Sequence, residues 1–130
     1  QFKLDQGLHQ TRSGLSLYWE SIVPADDSKI ERVLILFHGL SDNVGGLTGN
    51  HMLAHAQNHN VAVIAMDLPG HGRSDGLHLY IDEWHAFVDQ AMDFVISSCK
   101  PKVEAWSKVA GRPLQLYAHG ESLGGGVVTT

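Results

Sequence analysis

Residues 114–126, LQLYAHGESLGGG, decide how this chain folds. A short apolar run leads within two residues into the pattern Gly-x-Ser-x-Gly, and more glycines follow it. The pattern is typical of a sharp turn between a buried strand and a helix, with the serine in a strained conformation at its tip. Gly120 and Gly124 fit this turn because the backbones of the strand and the helix nearly touch there. We therefore predict a strand, a turn at Ser122 and a helix over residues 123–130.

Upstream of this turn, strand-like and helix-like segments alternate. Residues 33–37, Val61–Met66 and 114–117 are short apolar runs, which are typical of strands buried on both faces of a sheet. Residues 81–99 carry apolar side chains at spacings of three and four, which predicts an amphipathic helix. A weaker helical pattern covers residues 50–58. This order predicts an α/β fold whose mostly parallel sheet carries helices on both faces.

The remaining segments complete this outline. Apolar and polar residues alternate over residues 15–20, which predicts that the chain opens with β-structure. Pro101 is expected to interrupt the long helix, and residues 103–109 to form a second one. The 130 residues contain no linker, and their number suits one domain.

The Gly-x-Ser-x-Gly pattern occurs a second time, around Ser74. Seven residues separate Ser74 from Asp67, where the preceding apolar run ends, and no helix pattern begins directly after it. We expect Ser74 and Asp75 to form hydrogen bonds with nearby backbone inside a compact loop. Ser122 is therefore the candidate nucleophile.

In a parallel sheet the chemistry lies at the carboxyl ends of the strands, which points to loops 38–46, 67–76 and 119–124. Acyl transfer builds negative charge on a carbonyl oxygen, and two backbone N–H groups must already face that oxygen. Leu123, the residue after the nucleophile, supplies one of them. The other is expected at Leu40, because Gly39 in the sequence His38-Gly39 can adopt angles that turn the next N–H towards the site.

Three segments together, residues 36–39, 67–76 and 120–125, resemble the monoacylglycerol lipase and lysophospholipase-like branch of the α/β-hydrolases, also described as serine aminopeptidase-like. The middle segment, DLPGHGRSDG, is the most specific of the three. The resemblance implies hydrolysis of an ester of a single acyl chain by a Ser–Asp–His triad, without a metal or another cofactor. It also implies oxyanion donors at Leu40 and Leu123. Glu121 departs from many relatives, which have histidine there, and this bears on the substrate rather than on the mechanism.

Members of this branch are roughly twice as long as this chain. We therefore interpret residues 1–130 as the N-terminal part of one α/β-hydrolase domain, with the lid, the triad aspartate and the triad histidine beyond Thr130. The usual chain order is serine, acid, histidine, and no histidine follows Ser122 here. The chain by itself is expected to be inactive. Whether the lid makes peripheral contact with a membrane is left as an open question.

Composition excludes several other classes of function. The net charge is −5 and the nine Lys and Arg residues are scattered, which argues against nucleic-acid binding. Cys99 is the single cysteine and cannot form an internal disulfide, so a cytoplasmic or membrane-peripheral location is favoured. No apolar run is long enough to span a bilayer. His51, His55 and His59 have helical spacing but no Cys or carboxylate beside them, which indicates a solvated helix face rather than a metal site.

Three hypotheses about function stay open at this point. The first is a serine esterase that forms an acyl-enzyme on Ser122, and the second is a non-catalytic binding module on the same fold. The third keeps the fold and the serine but changes the reaction to that of a thioesterase, peptidase or acyltransferase. The retained turn serine and its glycines favour an enzyme, since a binding module has no need of them.

Overall fold

The computed structural model describes residues 2–44, 54 and 59–130. Five strands form one sheet: β1 (Phe2–Gln10), β2 (Ser16–Pro24), β3 (Arg32–Phe37), β4 (Val61–Met66) and β5 (Gln115–Gly120). The described helices are α1 (Trp84–Phe94), a π-helical segment (Val95–Cys99), α2 (Lys100–Ala110) and α3 (Leu123–Thr129), with a 3-10 turn at Asp27–Lys29. The predicted strands at residues 33–37, Val61–Met66 and 114–117 are all present, with ends that differ by at most three residues.

The strand order across the sheet is β1-β2-β4-β3-β5. Strands β4, β3 and β5 are parallel, whereas β2 is antiparallel to both β1 and β4. The sheet is therefore mixed, with the parallel core that the alternation of segments predicts. The carboxyl ends of the three parallel strands meet at one edge, where ligands bind in sheets of this kind.

One face of the sheet packs against every described helix. Buried side chains on this face and from the helices form a single cluster that includes Leu17, Ile35, Ile64, Ala91 and Phe94. The opposite face carries a smaller cluster that includes Ile22, Leu36, Val44 and Val63. The helix predicted over residues 50–58 lies outside the described residues. Among the described helices, none combines the length and the apolar character needed to cross a membrane.

The long helix does not break at Pro101, and our expectation of an interruption there is wrong. Phe94 and Lys100, on either side of the π-helical segment, both have right-handed helical backbone angles. The Lys100 N–H donates to the Val95 carbonyl, which is the i to i+5 bonding of a π turn. Such a turn is wider than an α turn, and it accommodates the proline that follows within a continuous helix.

Candidate active site

The turn between β5 and α3 has the strained geometry that its sequence pattern predicts. Ser122 has φ 52° and ψ −109°, a region that residues with a Cβ rarely occupy. A Cβ on Gly120 would overlap the carbonyl of Gly124, and a Cβ on Gly124 would overlap the carbonyl of Phe37. Strand, turn and helix backbones are therefore in direct contact, and only glycine fits at these two positions.

The loop after β3 lies against this turn. A Cβ on Gly39 would be 3.5 Å from the Ser122 Cβ and 3.4 Å from the Glu121 carbonyl oxygen. The Glu121 N–H donates to the Phe37 carbonyl at 3.1 Å, which extends the pairing of β3 and β5 into the turn. The sequence-predicted residues of these two loops are thus brought together at the carboxyl edge of the sheet.

The two backbone groups predicted as oxyanion donors are both without an acceptor in the described part of the chain. Leu123 begins α3, where the first N–H groups of a helix have no intrahelical partner. Leu40 follows Gly39, and its side chain is 55% exposed. Within the described residues neither N–H donates a hydrogen bond to another protein group.

His38 is buried and both of its ring nitrogens are engaged. The Leu68 N–H donates to Nε2 at 2.9 Å, and Nδ1 lies 2.7 Å from the Gly39 carbonyl oxygen. Nε2 therefore accepts, and Nδ1 carries the proton and donates. Burial lowers the pKa of His38, which keeps the ring neutral. The side chain holds loops together and offers no free nitrogen to act as a base.

His71 packs against His38 with ring centroids 4.9 Å apart, and its side chain is also buried. Its Nδ1 donates to the Pro69 carbonyl at 3.0 Å. Its Nε2 is buried without a hydrogen-bond partner among the described residues. The contact between the two buried rings packs the loop that follows β3 against the loop that follows β4.

Ser74 is a structural residue, as predicted, and it has one partner within its loop and one in a distant strand. Its hydroxyl donates to the Asp67 carbonyl and accepts the Tyr18 N–H at 2.8 Å. The neighbouring Asp75 accepts the Ser16 N–H at 2.9 Å. The bond to Asp67 lies within the loop, as predicted. The bonds from Tyr18 and Ser16 fasten the loop after β4 to strand β2, which we did not predict.

Asp67 adds a second fastening between loops. Its Oδ1 accepts the Val44 N–H at 2.7 Å and its Oδ2 accepts the Arg73 N–H at 2.9 Å. The turn at residues 39–44 is consequently held at its start by His38 and at its end by Asp67. The sequence places Asp67 in a loop at the carboxyl edge of the sheet, but it does not predict these partners, because Val44 lies 23 residues away along the chain.

A second cluster of serine, histidine and aspartate was missed by the sequence analysis. His9 Nε2 lies 2.8 Å from Asp93 Oδ1, and His9 Nδ1 lies 2.7 Å from Ser98 Oγ. The pKa of Asp93 lies below its usual value, mainly because the Arg12 N–H donates to its carboxylate. The hydrogen bond with His9 lowers this pKa further, by a smaller amount. The cluster joins β1 to the long helix. It stands at the opposite edge of the sheet from β5, roughly 19 Å away at about 4.8 Å per strand, and so it cannot serve Ser122.

The acidic residue inside the turn pattern pairs with a histidine. Glu121 Oε1 lies 3.7 Å from His119 Nε2, and both side chains line an open cavity of about 750 Å³ over the sheet face that carries Leu34 and Leu36. Of the three histidines considered as a metal site, His51 and His55 lie outside the described residues. Among the residues that are described, no group of three or more His, Cys, Asp or Glu could hold a metal ion.

Solved structures share this fold. Est1E from Butyrivibrio proteoclasticus, with ferulic acid bound, superimposes with a TM-score of 0.70 at 18% identity over 94% of this chain and 45% of its own. The Pyrococcus furiosus esterase Pf2001 gives a TM-score of 0.74 at 18% identity over 97% of this chain and 42% of its own. The α/β-hydrolase GrgF from a Penicillium species gives 0.68 at 18% identity, over 96% of this chain and 39% of its own. The fold is therefore that of the α/β-hydrolases, and the chain spans less than half of these three proteins.

Sequence comparison identifies the family. The model of the serine aminopeptidase S33 family matches residues 28–130. The chain belongs to this family, as the three motifs indicated. No curated protein matches the sequence significantly.

Proposed function

We propose that this chain carries the nucleophile and the oxyanion site of a serine hydrolase that cleaves carboxylic esters. The observation that carries the proposal is the strained conformation of Ser122 beside Gly39. Backbone strain of this kind persists only where the surrounding structure enforces it, and it is concentrated at active sites. One of the similar solved structures, Pf2001 from Pyrococcus furiosus, is described as an esterase, which supports the ester as the substrate class.

The reaction proceeds through an acyl-enzyme. The Ser122 hydroxyl oxygen attacks the ester carbonyl while a base takes its proton, and the carbonyl electron pair moves onto oxygen. The N–H groups of Leu40 and Leu123 stabilise this oxyanion. The tetrahedral adduct then expels the alcohol, which receives the proton from the base. Water repeats the sequence on the acyl-enzyme, releases the acid and restores Ser122.

The base and its orienting carboxylate belong, in this proposal, to the part of the full-length protein that follows Ser122. His38 is unsuited to the role because Leu68 and Gly39 occupy its two nitrogens. The cluster of His9, Asp93 and Ser98 lies at the far edge of the sheet. The chain order serine, acid, histidine of this fold agrees with that placement.

The proposed substrates are esters of a single acyl chain, of the monoacylglycerol or lysophospholipid type. This narrower proposal rests on the resemblance of the three motifs. The name of the family supports a second candidate, hydrolysis of the amide bond at a peptide N-terminus, which requires the same serine and the same oxyanion donors. Membrane contact through a lid is a further part of the proposal for the whole protein.

The test is turnover of p-nitrophenyl esters and of amino-acid p-nitroanilides by the full-length protein and its Ser122→Ala variant. We expect ester hydrolysis in the wild type and a loss of at least about 10³-fold in the variant, because a triad serine supplies several orders of magnitude in rate. Anilide turnover without ester turnover would replace the esterase with the peptidase. Ester turnover that survives in Ser122→Ala would refute the assignment of the nucleophile.

A fluorophosphonate probe tests the proposed position of the base. The probe labels a serine only when its hydroxyl is activated. We expect Ser122 to be labelled in the full-length protein and not in the 130-residue chain. Strong labelling of Ser122 in the 130-residue chain would show that a histidine within it acts as the base.

A further inference from the structure

The peptide bond between Gly39 and Leu40 is held by its carbonyl group. The Gly39 carbonyl oxygen lies 2.7 Å from His38 Nδ1 and also accepts the Asp42 N–H at 3.1 Å. The peptide bond between Gly39 and Leu40 is trans, so the Leu40 N–H points opposite to the Gly39 carbonyl. Any group that fixes the direction of this carbonyl also fixes the direction of the Leu40 N–H.

The His38 ring is well suited to fix that carbonyl, because the ring itself cannot turn. Its side chain is 1% exposed, and it packs on one side against His71. The Leu68 N–H, donating to Nε2, leaves the ring proton on Nδ1. Nδ1 is therefore a permanent donor aimed at the Gly39 carbonyl.

We propose that His38 is a positioning residue that sets the oxyanion donor at Leu40. The ring draws the Gly39 carbonyl towards the protein interior, and the Leu40 N–H consequently faces the other way, out of the loop that lies against Ser122. This proposal rests on the proposed function, since it needs Leu40 to be an oxyanion donor. It assigns to His38 a role in the rate of the reaction. With the bond to Leu68 alone, His38 would only hold two loops together, a purely structural role that we call a brace.

The two roles use different ring nitrogens, and two substitutions separate them. The amide nitrogen of asparagine occupies roughly the place of Nδ1, so His38→Asn keeps a donor for the Gly39 carbonyl and loses the acceptor for Leu68. The amide oxygen of glutamine reaches the place of Nε2, so His38→Gln keeps the bond from Leu68 and loses the donor for Gly39. His38→Ala loses both bonds.

The test measures kcat and KM for a p-nitrophenyl ester in the full-length protein, with urea unfolding as a check on each variant. Loss of one oxyanion donor lowers kcat by about 10²–10³-fold. The Asp42 N–H still holds the carbonyl in the variants, so we expect about a 10–100-fold loss of kcat in His38→Gln and His38→Ala, with KM within about threefold of wild type. His38→Asn should recover most of that loss. Binding of a trifluoromethyl ketone, which forms a tetrahedral oxyanion on the serine, should weaken in parallel with kcat.

Several outcomes would overturn the proposal. A higher kcat in His38→Gln than in His38→Asn would make His38 a brace, and equal kcat in wild type and all variants would leave it without a role. Inactivity of the wild type, or activity in Ser122→Ala, would instead refute the proposed function. If the variants do not fold, a backbone ester made with the α-hydroxy analogue of leucine at position 40 removes the Leu40 N–H and leaves His38 intact. This ester should lower kcat by about 10²-fold or more; an unchanged kcat would refute the proposal, because Leu40 would then not be an oxyanion donor.

Discussion

Replacement of Ser74 by alanine should destabilise the protein without removing its activity. The Ser74 hydroxyl makes two hydrogen bonds, to the Asp67 carbonyl and from the Tyr18 N–H, and Tyr18 is buried. A net hydrogen bond contributes about 1 kcal/mol, and a buried group left unsatisfied costs about 1–3 kcal/mol. We therefore expect Ser74→Ala to lower the free energy of unfolding by about 2–4 kcal/mol.

The measurement is urea unfolding of the full-length protein, with initial rates on a p-nitrophenyl ester at a urea concentration where both proteins are folded. Ser97→Ala is the matched control, because Ser97 is exposed and its hydroxyl makes no hydrogen bond within the described residues. Its effect should stay within about 0.5 kcal/mol. Ser122→Ala is the opposite control, with activity lost and stability retained.

The two Gly-x-Ser-x-Gly sites are thus distinguished by two readouts that move in opposite directions. An unchanged free energy of unfolding in Ser74→Ala would show that water or a backbone shift replaces both bonds. A loss of activity equal to that of Ser122→Ala, at unchanged stability, would refute the structural role of Ser74 and reopen the choice of nucleophile.

Three further predictions concern backbone strain, glycine contacts and pH. Ser122→Gly should raise the free energy of unfolding by about 0–2 kcal/mol while abolishing turnover, because relief of about 1–3 kcal/mol of strain is partly offset by the flexibility of glycine; a loss of stability in urea unfolding would contradict this. Gly124→Ala should prevent stable folding because its Cβ would overlap the Phe37 carbonyl, whereas Gly125→Ala, whose Cβ would meet nothing closer than 3.4 Å, should be tolerated when the two are compared by circular dichroism. The pKa of Asp93 is lowered in the folded state, so its contribution to stability is present above the unfolded pKa and is lost as the pH falls through the folded pKa. Urea unfolding at pH 6 and at about pH 3 should therefore show a larger loss for wild type than for Asp93→Asn, and equal losses would refute the effect.

The fold could be predicted because its signals are local. Strand β4 is a continuous run of apolar residues, all of them buried, and its predicted ends are those observed. The turn at Ser122 is encoded by five consecutive residues, and its strained φ follows from the contacts of Gly120 and Gly124. The helix around Pro101 was misjudged because a proline is a strong local breaker, whereas a π turn depends on how the whole helix packs.

The contacts that hold the candidate site could not be predicted, because they join distant parts of the chain. His38 and Leu68 are 30 residues apart, and His9 and Asp93 are 84 residues apart. A histidine in a loop has the same appearance in a sequence whether it acts as a base, a ligand or a brace. Only the positions of its partners show that the Nε2 of His38 is an acceptor, and this decides which role is open to it.

Both proposed oxyanion donors follow from one strand register. Phe37 of β3 is paired with Gly120 of β5, and the parallel pairing continues into the turn through the bond from the Glu121 N–H to the Phe37 carbonyl. Leu40 and Leu123 each lie three residues beyond this pair, in the two loops that come together at the carboxyl edge of the sheet. A slip by one residue would turn every side chain of β5 to the other face and separate the donors at the same time. The close contact of Gly124 with the Phe37 carbonyl excludes the slip that would bring Leu123 to this position, because only glycine fits there. Gly124 therefore restricts the register of β5 against β3, and this register sets where the two loops that carry the proposed donors begin.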